Sequence, residues 1–172
     1  MKVQIQTEMR TISKILGVCV AFLCAMLTAC SDGNVVFQQA VELPEYGWRK
    51  DSVVMFDYQA TDTSGLYDIV VDIRNDGSYA NQNFWLFITS LSPDSLIYKD
   101  TLECVLADNY GRWIGEGSGS LRHLPVAFLS QVKFPVKGKY HFEFIQGMRY
   151  DTLIGIHDIG MRVMKSSPEA DR

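Results

Sequence analysis

The chain has 172 residues, 21% of them charged, and a formal net charge of −4. Lysines and arginines occur singly apart from Arg49-Lys50. Phosphate binding needs clustered basic side chains, so the composition argues against a nucleic-acid-binding protein. The hydrophobic fraction of 47% is typical of a folded domain, and the length suits one domain with its own core.

The first 29 residues have the layout of a secretory signal. Lys2, Arg10 and Lys14 precede an uncharged stretch of thirteen residues, 15–27, and small residues follow it. Thirteen residues span only about 20 Å as a helix, whereas the hydrocarbon core of a bilayer is roughly 30 Å thick. We therefore predict that residues 1–29 form a signal helix that is removed, rather than a permanent transmembrane helix.

The leader ends in Leu27-Thr28-Ala29-Cys30. This sequence fits the bacterial lipobox, in which a cysteine after small residues is acylated and becomes the mature N-terminus. We predict that Cys30 carries a covalent N-acyl chain, such as palmitate, and an S-linked diacylglycerol, and that the protein has no other cofactor. Two or more acyl chains give lasting membrane attachment. An ordinary signal-peptidase site is the alternative.

Cleavage before Cys30 changes the cysteine count and the charge of the mature chain. Cys19 and Cys24 leave with the leader, so a lipid-linked Cys30 gives Cys104 no intrachain partner. Alternation with the neighbouring leucines places Cys104 on a predicted core face, as a buried and inert thiol. The leader also removes three basic residues and one acidic residue, which moves the formal charge from −4 to near −6. Attachment would therefore come from acyl chains and not from attraction to anionic lipid.

The mature chain reads as one domain with short flanking segments. We predict a lipidated N-terminus, tether and possible edge strand over residues 30–50, a β-sandwich over 51–165, and a polar tail over 166–172. Strand-forming segments rich in β-branched and aromatic residues recur at 52–60, 67–75, 83–91, 97–107, 126–134, 139–147 and 156–164.

Several of these segments alternate between apolar and polar residues. Tyr140, Phe142 and Phe144 share one face, with His141 and Glu143 on the other. Turn-forming residues separate the segments, and no stretch after the leader has helical periodicity. The sequence thus predicts an all-β protein with a single antiparallel β-sandwich of about seven or eight strands. A β-barrel is the alternative architecture.

A search for catalytic or metal-binding motifs nominates no site. The glycine-rich stretch 111–119 lacks the lysine and hydroxyl residues of a phosphate-binding loop and is not set in a βαβ unit. His123, His141 and His157 do not stand at metal-ligand spacings, and no motif assembles a catalytic triad around them. We predict that the protein is not an enzyme and has no metal or small-molecule ligand. A hydrolase with an unrecognised site is an alternative.

A recognition surface is the other way in which this chain could act. Its candidate residues are aromatic or charged and lie in predicted loops: Trp48, Arg49, Arg112, Trp113, Arg149 and Asp151. The same residues could instead pack the loops. Trp85 alternates with Phe87 and fits either a core or a surface. Because exposed aromatic rings on β-sandwiches stack on sugars, a cell-surface carbohydrate-binding lipoprotein is the alternative function.

Segments along the whole mature chain resemble the gliding-motility lipoprotein GldH family of the Bacteroidota. Besides Cys30, the segments that carry the resemblance are 43–56, 73–88, 100–120, 132–149 and 153–163. The resemblance implies a membrane-anchored accessory lipoprotein of the gliding and type IX secretion machinery, with envelope proteins as partners. Members are not known as enzymes, so no catalytic residue carries over, and Cys30 is the one functional residue that does.

The residues after Cys30 bear on the membrane that receives the protein. Ser31 stands where an acidic residue would favour retention, so the sorting pattern indicates the outer membrane. An acidic cluster in this region is typical of surface export in this phylum. Asp32 is alone before Gly33, so the periplasmic and surface leaflets both remain open.

Overall fold

The computed structural model describes residues 34–117 and 119–166. Within these residues, segments of alternating apolar and polar residues form the strands. The strands are β1 (Val35–Glu42), β2 (Trp48–Arg49), β3 (Val54–Ala60), β4 (Tyr67–Asn75), β5 (Asn83–Leu91), β6 (Ile97–Val105), β7 (Arg122–Val132), β8 (Gly138–Gln146), β9 (Thr152–Leu153) and β10 (Ile156–Lys165). The predicted signal segment, Cys30 and the end of the predicted tail lie outside the described residues.

All strand pairs are antiparallel. The first sheet has the order β1-β10-β4-β7, the second has the order β3-β8-β5-β6, and β2 pairs with β9 in a short separate ladder. The predicted all-β antiparallel sandwich is confirmed. The described part of the chain contains ten strands, more than the seven or eight predicted, because β2 and β9 form within predicted loops.

The structure changes the predicted start of the sandwich and the predicted start of one strand, and the other strand ends lie within two residues of their predicted positions. The possible edge strand predicted within residues 30–50 is β1, and because it pairs along β10 it belongs to the sandwich, which therefore begins near residue 35 instead of 51. The strand β7 begins at Arg122, four residues before its predicted start, because its first residues pair with the end of β4.

The core lies between the two sheets and follows the predicted alternation. On β8, Tyr140, Phe142 and Phe144 are buried, and Phe56 of β3 packs edge to face on Phe144 with ring centroids 5.1 Å apart. On β4, every second residue from Tyr67 to Ile73 is buried in the same way. Fully burying one large apolar side chain contributes about 1.5–3 kcal/mol, so these rows are the main source of stability.

Antiparallel order gives the sandwich two distinct ends. We call the end that carries Asn34 and Ser166 the terminal end, where the N–H of Lys165 donates to the carbonyl of Asn34 at 2.8 Å. The connections that follow β3, β5 and β7 lie there as well. The opposite end, the loop end, holds the connections that follow β1, β4, β6 and β8.

The two flanks of the sandwich also differ. At one flank the sheets meet through the edge strands β1 and β3, where Phe37 and Tyr58 lie edge to face at 5.7 Å. The other flank is bordered by β6 and β7, and a groove opens there toward the terminal end. Residues 34–117 and 119–166 contain no helical segment that could span a bilayer.

Candidate interaction surfaces

Trp48 belongs to the core and not to a recognition surface. Its side chain is 0% exposed and packs edge to face on Phe84 at 6.4 Å. The indole N–H donates to the carbonyl of Ser52 at 2.9 Å, so the one polar atom of the ring is satisfied internally. This location removes Trp48 from the candidate surface.

The other candidates near Trp48 are exposed at the loop end. The Arg49 guanidinium holds the Asp51 carboxylate by two hydrogen bonds of 2.6 and 2.9 Å. The ladder of β2 and β9 brings Asp151 close, since the N–H of Lys50 donates to the Asp151 carbonyl at 2.8 Å. Together with Thr152, these residues line a polar recess of about 380 Å³. The structure therefore unites Arg49 with Asp151, two residues that lie far apart in the sequence.

Arg112 and Trp113 lie in a separate loop, the connection between β6 and β7. Arg112 pairs with Asp108 at 2.7 Å and stacks over the ring of Tyr110, 5.3 Å from its centroid. Asp108 also accepts hydrogen bonds from the backbone N–H groups of Arg112 and then Tyr110, which hold the loop closed and lower the pKa of the Asp108 carboxyl. Trp113 is partly buried and packs against the core. Of the two candidates in this loop, Arg112 is therefore exposed, whereas Trp113 is partly buried.

Close backbone contacts explain two glycines in the loops. Gly155 has a φ of +85°, and a Cβ there would lie 2.3 Å from the backbone nitrogen of Tyr79. A Cβ on Gly117 would lie 2.2 Å from the carbonyl oxygen of Leu121. Such contacts are sterically forbidden, so these glycines are required by the fold whether or not the loops bind a partner.

Four apolar side chains on the outer side of the second sheet form what we call the aromatic face: Met55, Trp85, Phe87 and Ile145. Asp57 pairs with Lys139 and His141 on the same side. Trp85 is 38% exposed and Phe87 is 49% exposed, because the alternate residues of β5 fill the core. The ring of Phe87 lies over Gly147, where a Cβ would come within 3.1 Å of it. Sequence reasoning left the direction of Trp85 and Phe87 open, and the structure directs both outward.

The outer side of the first sheet is different in character, and we call it the ion-paired face. Asp72 is 8% exposed and accepts two hydrogen bonds from Arg162, at 2.5 and 2.8 Å. His123 lies 2.9 Å from the same carboxylate through Nε2. Next to this group, Arg74 pairs with the buried Asp158. The charges of this face are therefore bound to one another.

The three histidines all lie beside aspartates. The group most similar to a catalytic triad is His157, Asp76 and Ser78. His157 Nε2 lies 2.8 Å from Asp76 Oδ2, and the Ser78 hydroxyl donates to Asp76 Oδ1 at 2.5 Å. The serine therefore bonds to the acid and not to the histidine, so the histidine does not activate it. Ser78 and then His157 lower the pKa of Asp76 through these hydrogen bonds.

Two further observations bear on chemistry. Cys104 is 0% exposed, and burial raises the pKa of its thiol to about 12, so it is not a thiolate at neutral pH. Over residues 34–117 and 119–166, no three His, Cys, Asp or Glu side chains are grouped so as to hold a metal ion.

A groove opens at the flank bordered by β6 and β7, and we call it the terminal groove. It has a volume of about 450 Å³ and lies between the β5–β6 hairpin and the connection from β7 to β8. Its apolar walls are formed by residues that include Leu96, Tyr98, Phe128, Leu129, Val132 and Phe134. Polar residues also line the groove, but most of its lining surface is apolar; they are Ser90, Ser92, Asp94, Lys99, Asp100 and Lys133.

These features define an all-β sandwich whose distinctive side chains lie on its outer faces, ends and flank. Comparison with known proteins identifies the family of this chain. The family model for the GldH lipoprotein matches residues 35–163. The chain belongs to the GldH lipoprotein family.

Two relatives are similar over almost their whole length. A gliding motility lipoprotein GldH homolog from Christiangramia forsetii is 31% identical over 152 residues, which cover 84% of this chain and 92% of the relative. The gliding motility lipoprotein GldH of Flavobacterium johnsoniae is 30% identical over 151 residues, covering 84% and 93%. Among solved structures, an uncharacterized protein from Listeria monocytogenes aligns with a TM-score of 0.35 and 14% identity, over 78% of this chain and 11% of that protein.

Proposed function

We propose that this protein is a non-enzymatic accessory lipoprotein of the gliding motility and type IX secretion machinery, held in the outer membrane by acyl chains on Cys30. It acts by contacts with other envelope proteins. The observation that carries the proposal is the match to two gliding motility lipoproteins over 92% and 93% of their lengths.

The distribution of exposed side chains supports a role in protein contacts. Aromatic residues and arginines are enriched at protein interfaces, and the aromatic face displays Trp85 and Phe87 without a covering element among the described residues. The loop end adds Arg49 and Asp151 around the polar recess. We propose the aromatic face as the main contact and the loop end as a second one.

The anchor is tested by metabolic labelling. Cells that produce the natural chain should incorporate labelled palmitate into it, and the Cys30→Ser variant should not. Fractionation of the same cells should place the acylated protein with the outer membrane, and protease treatment of intact cells should separate the two leaflets. Labelling that persists in Cys30→Ser would refute the anchor.

The contacts are tested by crosslinking in cells followed by capture of the acylated protein. Partners should be recovered with the natural chain and with a Val36→Ser control, since Val36 is 42% exposed and lies on β1 of the first sheet, outside both proposed contacts. They should be lost with Trp85→Ser combined with Phe87→Ser. Deletion of the gene should impair gliding or type IX secretion, and an intact phenotype would contradict the specific role.

A carbohydrate-binding lipoprotein is the second candidate. The exposed rings of Trp85 and Phe87 favour it, whereas Trp48 is buried and cannot contact a sugar. Flat aromatic rings stack on sugars. Binding to a glycan array that disappears in Trp85→Ala, and that Trp113→Ala leaves intact, would support this candidate. An array without binding would reject it.

A further inference from the structure

The terminal end gathers exposed apolar side chains. In the β5–β6 hairpin, Leu91, Leu96, Ile97 and Tyr98 are 38%, 51%, 62% and 60% exposed. Leu66, on the connection from β3 to β4 at the same end, is 42% exposed. Placing these side chains in water is unfavourable, so their concentration at one end indicates a contact there.

The terminal groove opens beside this hairpin, and Leu96 and Tyr98 also form its wall. Across from them, Phe128 and Val132 come from the end of β7, and Phe134 follows them. The volume of about 450 Å³ lies within the range of ligand pockets. An apolar occupant, such as a hydrocarbon chain, matches these walls best.

The position of the first described residue relative to the proposed anchor identifies the occupant. Only three residues separate Cys30 from Asn34, the first residue of the terminal end. Even fully extended, this linker spans roughly 14 Å, so an acylated Cys30 keeps the terminal end close to the bilayer surface. This step rests on the proposed anchoring at Cys30.

We infer that the terminal end makes a second contact with the membrane that holds the protein. The tip of the β5–β6 hairpin enters the lipid interface, and the terminal groove receives an acyl chain of a bilayer lipid. The acyl chains on Cys30 would then tether the protein, whereas the hairpin and groove would fix its orientation and direct the loop end away from the bilayer.

The charges at this end favour an apolar contact over an electrostatic one. Lysines cluster here, and they are Lys99, Lys133, Lys137, Lys139 and Lys165. Aspartates share the same end, including Asp94 and Asp100 beside the groove, so their charges oppose those of the lysines. Long lysine side chains reach the headgroup level while their stems contact lipid. The contact should therefore form on zwitterionic lipid and depend little on salt.

The test uses the acylated protein in phosphatidylcholine vesicles, with an environment-sensitive fluorophore at one introduced cysteine. Ile97→Cys reports on the hairpin, and Tyr110→Cys, at a position 86% exposed at the loop end, is the matched control. The natural Cys104 is buried and stays unlabelled in the folded protein. On vesicle binding, the label at 97 should shift to the blue and be quenched by nitroxide-bearing lipid, and the label at 110 should not.

A second label at Leu96→Cys, on the wall of the groove, identifies what fills it. Quenching there by nitroxide placed on the chains of bilayer lipid is expected. If the label at 97 is quenched but the label at 96 is not, the groove holds another occupant, such as the acyl chains of Cys30, and the assignment to bilayer lipid is wrong. Quenching at 96 that requires added envelope proteins would assign the groove to a protein partner and also overturn it.

The results separate this inference from the proposed anchor. A protein that fails to float with vesicles, and whose mass lacks the acyl groups, would contradict the anchor. A protein that is acylated and floats, but whose label at 97 remains as exposed as the one at 110, would leave the anchor intact and reject the second contact. Circular dichroism of each variant verifies folding, so that a loss of quenching is not mistaken for unfolding.

Discussion

The outer faces of the two sheets use their side chains in opposite ways. The ion-paired face is rich in charge, yet Asp72 and Asp158 are nearly buried and the arginines above them are held by hydrogen bonds. The aromatic face is apolar, yet Trp85 and Phe87 remain open to solvent. The side chains of the ion-paired face thus bind one another and hold their strands together. Those of the aromatic face are exposed and available to contact a partner.

This contrast follows from where the partners of each side chain lie. On the first sheet, Arg162 of β10 and His123 of β7 approach Asp72 of β4 from the two neighbouring strands. On the second sheet, Phe87 faces Ile145 across β8 and Thr101 across β6, and neither covers its ring. Cross-strand pairs stabilise a sheet, so the two faces should respond differently to substitution.

The largest effect is expected at the ion-paired face. Asp72→Ala leaves Arg162 without its carboxylate in a site where that arginine side chain is 19% exposed. Removing one partner of a nearly buried pair costs about 3 kcal/mol. Urea unfolding should therefore show a loss of this size. The double variant Asp72→Ala with Arg162→Met should recover part of the lost stability. If Asp72→Ala alone costs less than about 0.5 kcal/mol, the range of ordinary surface substitutions, the ion pairs of this face do not stabilise the fold.

The next effect concerns the core beneath the aromatic face, where Cys104 points inward from β6. Because burial raises the pKa of its thiol to about 12, folding disfavours the thiolate that the unfolded chain forms from roughly pH 8.5 upward. The stability due to the protonated thiol is complete below that pH and is lost as the pH rises toward 12. The natural chain should therefore lose stability relative to Cys104→Ala between pH 9 and 12.

Urea unfolding of both proteins across this range measures the difference. The buried tyrosines titrate in both chains, so their contribution cancels. In the folded natural chain, Cys104 should react with a thiol reagent only as fast as the protein opens. Rapid labelling at pH 8, or a constant difference in stability up to pH 12, would contradict a sealed core below this face.

A smaller effect on stability is expected on the aromatic face itself. Trp85→Ser and Phe87→Ser remove half-exposed rings, so each should lower the free energy of unfolding by about 1 kcal/mol or less. Capture of crosslinked partners should nevertheless fall sharply. A loss of stability as large as that of Asp72→Ala, with unchanged capture, would reverse the comparison between the two faces.

The difference between the faces was only partly predictable from sequence. The alternation of Tyr140, Phe142 and Phe144 with polar residues correctly assigned the inner side of β8, because the residues between them, His141 and Glu143, are polar. In β5 both parities are apolar, so the sequence did not determine whether Trp85 would be core or surface. The apolar rows of the partner strand β8 make that choice, and such pairing is not visible within one segment.

Loop residues were harder to assign for a related reason. Trp48 was predicted to lie in a loop beside Arg49. The chain instead forms a short strand there, which pairs with β9. That pairing joins residues about a hundred positions apart and turns Trp48 into the core. Neighbours in sequence thus take opposite roles, with Trp48 buried and Arg49 exposed. Charged residues can be predicted to lie at the surface, but the direction of an aromatic residue in a loop depends on contacts that are remote in sequence.

The smallest effect is expected for Asp57, which pairs with Lys139 and His141 on the same outer side as the aromatic face. His141 and then Lys139 lower the pKa of its carboxyl by hydrogen bonding, so the folded state gains stability above the unfolded pKa that is lost as the pH falls through the lower, folded value. The Asp57 side chain is 49% exposed, and salt screens such pairs. Asp57→Asn should therefore reduce stability only slightly at pH 7, and the natural chain should lose this small advantage below about pH 4. Urea unfolding at pH 7 and pH 3, in low and high salt, measures it. An advantage that persists in high salt, or one as large as that of Asp72, would show that the aromatic face also depends on charge to hold its strands together.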